Sequence, residues 1–354
     1  MLLSPPSSSP DSTTNPERFF LAADVGGTHA RVGLVRVRHA APNACPVELV
    51  HSERYLNADW PGLAEILLDF TAKLADTPWR DTRALSGVLA CAGYVQGDQV
   101  INRNLPWPVF ISSTRERLGM QHLATINDFE ALAHAVPYVG ATDMRTLMSG
   151  DKAVGGLAVG PVVVMGPGTG LGCAIILPNS PAPRVLATEA AHIALAPGTP
   201  REIEILRMLA SEQPHVPVEY ALSGPGLLKL YRAISMLRGQ PATLSTPASV
   251  TAAALDESCP AALEALHTFC ALLGSFAADL AALYSASGGI MLAGGILPRI
   301  EDFLWKSEFK ARFLRKGVMT PFLQRVPVHL IDHGELGVIG AACWLEQMSL
   351  SSGE

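Results

Sequence analysis

Between Phe19 and Val37 the chain reads FFLAADVGGTHARVGLVRV, two apolar runs joined by Asp24, Val25, Gly26, Gly27 and Thr28. Glycines 26 and 27 have access to backbone angles that a Cβ forbids, so consecutive N–H groups can converge into a concavity that suits an anion such as phosphate. The run after the turn places Val32, Leu34 and Val37 around Arg36 and has strand character, not a period of 3.6. A dinucleotide fold is thereby disfavoured, because its glycine turn opens a helix. Taken alone, the stretch is equally compatible with an ordinary glycine hairpin.

With 354 residues, the chain has room for two domains or one large one. Its 26 basic and 32 acidic residues give a net charge of −6. No basic run could neutralise many phosphates, so neither nucleic acid nor a membrane surface is expected as a partner. Six cysteines, at 45, 91, 173, 259, 270 and 343, form no CxxC pair and meet no histidine at finger spacing. They read as buried thiols of a cytoplasmic protein. Met1 to Leu3 is too short an apolar core for a signal peptide. Residues 1–18, rich in Pro, Ser and Thr, are expected to form a disordered leader. The uncharged run from Leu280 to Pro298 holds four glycines and reads as helix end, turn and strand, not as a membrane span.

Further elements follow from periodicity. A third strand is expected over Val47 to Tyr55, then a helix beginning at Pro61 with Leu63, Ile66, Leu67, Phe70 and Leu74 on one stripe. Leu85 to Cys91 reads as a buried strand, and Gln96 to Asn104 as a turn and return strand around Gly97 and Asp98. Ser112 or Ser113 is the expected cap of a short helix, before a strand from Leu123 that ends in Asn127 and Asp128. Ser223 caps a helix carrying Leu227, Leu230, Ile234 and Leu237, and another helix starts near Pro260. Strands over Gly289 to Ile296 and Val326 to Ile331 precede a terminal helix from Leu336.

A second glycine hairpin occupies Pro161 to Ile176, with Gly166, Gly168, Gly170 and Gly172 around Thr169. Its spacing fails the dinucleotide fingerprint, and no lysine completes a Walker A frame. Two such hairpins, each starting one half of the chain, suggest two related α/β domains facing one another across a cleft.

Five segments then fall into one pattern: Asp24-x-Gly-Gly-Thr28, Asn127-Asp128, Gly166-x-Gly-Thr-Gly170, Ser223-Gly-Pro-Gly226 and Ala293-Gly-Gly-Ile296. In that order they resemble the motifs of the bacterial glucokinase family, of the non-ROK type. The first, third and fifth are similar to motifs shared by the hexokinase, actin and Hsp70 ATPase superfamily. The resemblance implies a two-domain α/β hexokinase/actin-like (ribonuclease H-like) fold with an interdomain cleft. Its small domain would span 19–137 plus the terminal helix (333–349), and its large domain 138–332. ATP would lie in the cleft, its phosphates held by Asp24, Val25, Gly26, Gly27 and Thr28 and by Gly168, Thr169 and Gly170, its adenosine near Gly294 and Gly295. Asp24 would face Mg2+ through water, and a homodimer is implied.

Resemblance also makes Asp128 the base that accepts the proton of the attacking sugar hydroxyl, a task suited to a carboxylate at a strand's carboxyl end. Read from its neighbours alone, Asp128 suits better a cap of the helix that follows; the other motifs in register favour the base. Asn104, Asn127, Glu189, His192 and Glu219, together with Asp128, resemble the ligands of a glucose site. Amides, carboxylates and imidazole can both satisfy and discriminate vicinal hydroxyls. The chain departs from the family at Ala23, at His29 where asparagine is usual, at Cys91-Ala92-Gly93, which lacks a usual proline, and at Ala190-Ala191 in place of two glycines. The expected activity is ATP-dependent phosphorylation of D-glucose to D-glucose 6-phosphate. A kinase for mannose or glucosamine, and a sugar-sensing regulator without turnover, are the alternatives left open by those departures.

Overall fold

A computed structural model describes residues 17–38, 44–102, 105–150, 160–178, 183–332 and 334–352. The first glycine hairpin forms as expected: β1 (Phe19–Val25) pairs antiparallel with β2 (His29–Val37), and β2 with β3 (Val47–Leu56). Helix α1 (Leu63–Lys73) follows, then β4 (Ser86–Cys91), β5 (Tyr94–Gln96), β6 (Gln99–Ile101), β7 (Val109–Phe110), α2 (Ile111–Arg117), β8 (His122–Asn127) and α3 (Asp128–Ala135). Strands β1, β4 and β8 run parallel, giving a sheet of order β3-β2-β1-β4-β8.

The second half repeats this plan. Strand β9 (Met144–Met148) precedes the hairpin of β10 (Val162–Pro167) and β11 (Leu171–Leu177), with β12 (Arg184–Thr188) antiparallel beside it. Helices α4 (Pro200–Ala210), α5 (Gly224–Leu237), α6 (Pro247–Leu255) and α7 (Pro260–Leu283) lead to β13 (Gly289–Leu292). Three short helices, α8 (Glu301–Lys306), α9 (Phe309–Leu314) and α10 (Thr320–Leu323), lead to β14 (Val328–Ile331), and α11 (Leu336–Ser352) ends the described chain. The sheet order is β12-β11-β10-β13-β14-β9, in which β10, β13 and β14 are parallel. Three antiparallel strands followed by two parallel ones, in the same spatial order, therefore occur twice.

The apolar patterns explain the layers. One face of the first sheet buries Val25, Leu34 and Leu89 against Ile66, Leu67 and Phe70 of α1. Its other face meets Val338, Ala341 and Ala342 of α11. In the second sheet Val163, Met165 and Ile175 pack on α5 and α7, while Val162, Val164 and Ala174 take Leu132 and Ala133 of α3 and Val136 just after it. Helix α3 thus leaves the first sheet to cover the second, and α11 leaves the second to cover the first. They cross where a Cβ on Gly340 would lie 1.8 Å from the Ala131 carbonyl oxygen, so only glycine lets the helices approach this closely. Helix α7 is long and apolar enough to cross a membrane, yet 72% of its apolar window is buried inside the fold. Core packing accounts for its composition.

Several boundaries differ from those expected. The first helix begins at Leu63 with Gly62 as N-cap, two residues beyond Pro61. Neither Ser112 nor Ser113 caps α2, which begins already at Ile111 with Phe110 at the cap position. The Asp98 carboxylate accepts from the Ser112 N–H at 2.9 Å instead, so the cap comes from the β5–β6 hairpin. The strand expected to reach Asp128 stops at Asn127, and that from Gly289 stops at Leu292. Of the expected leader, residues 1–16 lie outside the described residues, but Arg18 forms an ion pair with Glu346 of α11 at 3.1 Å. The cysteines are all free thiols, with Cys45 and Cys259 only part-buried. Cys45 and Cys343 are not scattered in space, their Sγ atoms being 3.8 Å apart.

Candidate functional site

Because β1, β4 and β8 are parallel, their carboxyl ends share one edge, with Val25, Cys91 and Asn127 in one row. Asp24 precedes that row and Asp128 follows it, so two carboxylates meet at the edge. Burial pushes Asp24 up to about 7, Asp128 adds to the shift by repulsion, and Arg31 opposes it. Burial likewise raises Asp128 to about 6, against N–H groups of Phe129 and Asp128, with Glu189 as a smaller repulsive contribution. The first turn of α11 closes over Asp24, where a Cβ on Gly337 would lie 2.5 Å from its Oδ2.

Asn127, not Asp128, is the N-cap of α3: its Oδ1 accepts from Phe129 N–H at 2.9 Å and Glu130 N–H at 3.1 Å. Asp128 Oδ1 accepts from Phe129 N–H at 2.9 Å. Capping therefore occupies the Asn127 oxygen, and its Nδ2 remains free to donate. The Phe129 ring fills the space over Gly172 of β11, where a Cβ would come within 1.8 Å of the ring. That contact fixes the start of α3 against the other sheet.

In the first glycine turn, Gly26 N–H closes the loop on the His29 carbonyl at 3.0 Å. Gly26 lies outside the left-handed region, and a Cβ there would meet only that carbonyl at 3.4 Å. The backbone angles expected to require glycine at 26 are thus not adopted, and a Cβ there would make one ordinary contact. Thr28 is exposed, whereas the Val25 side chain is fully buried, so only the Val25 backbone faces the turn.

The second turn is built more tightly. Gly168 N–H donates to the Gly170 carbonyl at 2.7 Å, and Gly224 N–H, at the start of α5, donates to the Gly168 carbonyl at 2.8 Å. A Cβ on Gly166 would lie 2.1 Å from the Ala293 carbonyl oxygen, and Gly294, at φ +93°, packs against Pro167. Those two glycines serve the junction of β10 and β13. At Gly168 and Gly295, by contrast, a Cβ would meet nothing within 4 Å, so both face open space, with Thr169 exposed between Gly168 and Gly170.

Glu219 reaches this turn from the short helical segment Val218–Tyr220, where its Oε2 accepts from Leu171 N–H at 2.8 Å. Glu189 and His192 flank a helical turn and approach to 3.6 Å, both largely exposed. Ala191 is buried in the core and Ala190 packs against it, so both methyls add to core packing. Asn104 lies outside the described residues. Asp24, Asp128 and Glu189 are thus brought within one electrostatic neighbourhood, while Glu219 is held at the second turn.

Some participants were passed over in the sequence. Arg31 is the cross-strand partner of Asp24, a pairing that counting outward from the Gly26–Thr28 turn would have found. A cavity of about 250 Å³ lies between α5, α6 and the segment after β13, lined by Gly224, Leu227, Pro247, Thr251, Ile296 and Arg299. It is mostly apolar and is walled by Ile296, next in the chain after Gly295, and its residues come from three separated segments, which hid it. Among the described residues, no group of three or more His, Cys, Asp or Glu side chains could hold a metal ion.

The family model described as Glucokinase matches residues 21–348. A glucokinase-like protein of Xylella fastidiosa is 42% identical over 92% of this chain and 94% of its own. The glucokinase of Paramagnetospirillum magneticum is 37% identical over 91% of this chain and 96% of its own. Among solved structures, a glucokinase from an Antarctic psychrotroph superposes with a TM-score of 0.78 at 33% identity, covering 93% of this chain and 99% of the other. The α/β hexokinase/actin-like fold expected from the five motifs is borne out by that likeness.

Proposed function

Since the chain belongs to the glucokinase family, we propose that it transfers the γ-phosphoryl group of ATP to the 6-hydroxyl of D-glucose, with Asp128 as the general base. The observation that carries this reading is the meeting of Asp24 and Asp128 at one sheet edge, beside the Gly26–Thr28 turn. A carboxylate raised to about 6 is ionised at neutral pH yet basic enough to take a hydroxyl proton as the new bond forms. Phosphoryl transfer asks the protein mainly to position reactants and stabilise charge, which two N–H-rich turns can do.

In this reading the residues 19–137 with 333–349, and 138–332, are two domains that close on the sugar and exclude water. Asn104, Asn127, Glu189, His192 and Glu219 contact glucose. The phosphates lie along Val25, Gly26, Gly27 and Thr28 and along Gly168, Thr169 and Gly170. The nucleoside takes the cavity beside Gly294 and Gly295, whose apolar walls suit a base face. Two mutually repelling carboxylates are hard oxygen donors of the kind Mg2+ takes, and Asp24 would hold it through water, supplying charge neutralisation at the phosphates. All six free cysteines fit a reducing cytoplasm. A homodimer is the assembly this reading carries, checked by light scattering.

The test is ADP release by the purified chain with ATP and a panel of hexoses, repeated for Asp128→Asn. Glucose should be the best acceptor, and kcat/KM should rise with pH through about 6 as Asp128 ionises. Asp128→Asn should lower turnover at least about a hundredfold while glucose binding changes far less. Near-normal turnover in that variant would refute the assignment, and glucose binding without ADP release would favour a regulator.

A further inference from the structure

Behind the first glycine turn sits a side chain that the proposed chemistry leaves unused. Asn57 follows β3, is 1% exposed, and reaches a turn about 30 residues away. Its Nδ2 donates to the Gly26 carbonyl at 2.8 Å and to the Gly27 carbonyl at 3.3 Å. Its own main-chain N–H donates to the Thr28 carbonyl at 2.9 Å. Three successive carbonyls of the turn therefore converge on one residue.

In a planar trans peptide, the C=O and the following N–H point to opposite sides. Drawing the Gly26 and Gly27 carbonyls onto Asn57 turns the N–H groups of Gly27 and Thr28 the other way. An amide in this orientation can do this, whereas a carboxylate or a flipped carboxamide would set oxygen against oxygen. The Asn57 Oδ1 is left buried without a hydrogen-bond partner, a cost that an apolar residue at 57 would not carry. Asn57 is itself anchored, since its carbonyl accepts from Trp60 N–H at 3.2 Å and from the buried Trp107 Nε1 at 3.3 Å.

We propose that Asn57 is a positioning residue for the phosphoryl donor, holding the Gly26–Thr28 turn so that the Gly27 and Thr28 N–H groups are presented to phosphate oxygens. The proposal rests on the assignment of this turn to the donor phosphates. Asn57 contacts no reactant; it acts through the backbone it clamps.

Calorimetric titration of MgADP and of glucose, each alone, into wild type, Asn57→Ala and Asn57→Asp tests it. The MgADP Kd should rise at least about tenfold in both variants, with kcat/KM for ATP falling in step. The glucose Kd should stay within about twofold. Asn57→Asp keeps the shape but loses both donors, so it should be no better than Asn57→Ala. Equal weakening of both ligands, or unchanged MgADP affinity, overturns the proposal. Should neither variant fold, amide exchange in the wild type decides: new protection at Gly27 and Thr28 on adding MgADP supports it, and unchanged exchange refutes it. A wild-type chain that binds no MgADP removes the donor assignment and this proposal together, whereas wild-type binding with unaltered variants removes only the clamp.

Discussion

The two glycine hairpins occupy equivalent places in two sheets of the same strand order, yet they are held in different ways. The turn between β1 and β2 is held from behind by one side chain, Asn57, and a Cβ on its Gly26 would touch only the His29 carbonyl, at 3.4 Å. The turn between β10 and β11 is wedged into its surroundings, by Gly166 against the Ala293 backbone, by Gly224 N–H on the Gly168 carbonyl, and by Glu219 on Leu171 N–H. Similar glycine spacing therefore reflects different demands: Gly166 makes room for the protein's own backbone, whereas a Cβ on Gly26 or Gly168 would displace nothing. A repeated topology does not make its glycines equivalent.

The sharpest way to break that comparison is to add one methyl group to each hairpin. Gly166→Ala should collapse the yield of folded protein or lower Tm by more than about 5 °C, since backbone must move to admit the Cβ. Gly26→Ala should change Tm by no more than about 2 °C and instead raise the KM for ATP about tenfold. Thermal melts and steady-state kinetics read both, and a stable Gly166→Ala protein would erase the distinction.

A smaller effect is expected from Glu219→Gln. The amide oxygen can still accept from Leu171 N–H, so the second turn should hold and Tm should barely move. Loss of the charge should raise the glucose KM roughly fivefold. An equal rise in the ATP KM would mean that Glu219 serves the turn and not the sugar.

A pH-dependent effect concerns the carboxylate beside the first turn. Asp24 is raised from 3.8 to about 7, so the folded chain keeps a proton that the unfolded chain releases, and stability falls as pH climbs through that window. In buffer free of divalent cations, Asp24→Asn should be near-neutral at pH 4 and stabilising at pH 8, on the order of 4 kcal/mol or several degrees in Tm. A stabilisation of the same size at both pH values would show that burial of the charge is not the cause.

Both hairpins were legible in the sequence because apolar strand runs flanking a glycine turn have few other solutions. Family membership was legible because five motifs kept their order along the chain. The start of α2 was not, since its cap arrives from Asp98 in another element. The crossing of α3 and α11 between the sheets was hidden as well: Ala131 and Gly340 carry no local sign that they meet. Asn57 reads as one more turn residue until three carbonyls are seen around it. What local patterning cannot encode is which distant backbone a side chain will hold.

The closing of α11 over Asp24 has a consequence for biogenesis. Residue 24 is translated more than three hundred positions before residue 337, so a nascent chain carries its first turn for most of synthesis with one wall missing. Competence to act should switch on only late, when the last helix swings back to the opening hairpin, and partly made chains should be inert bystanders that consume no nucleotide.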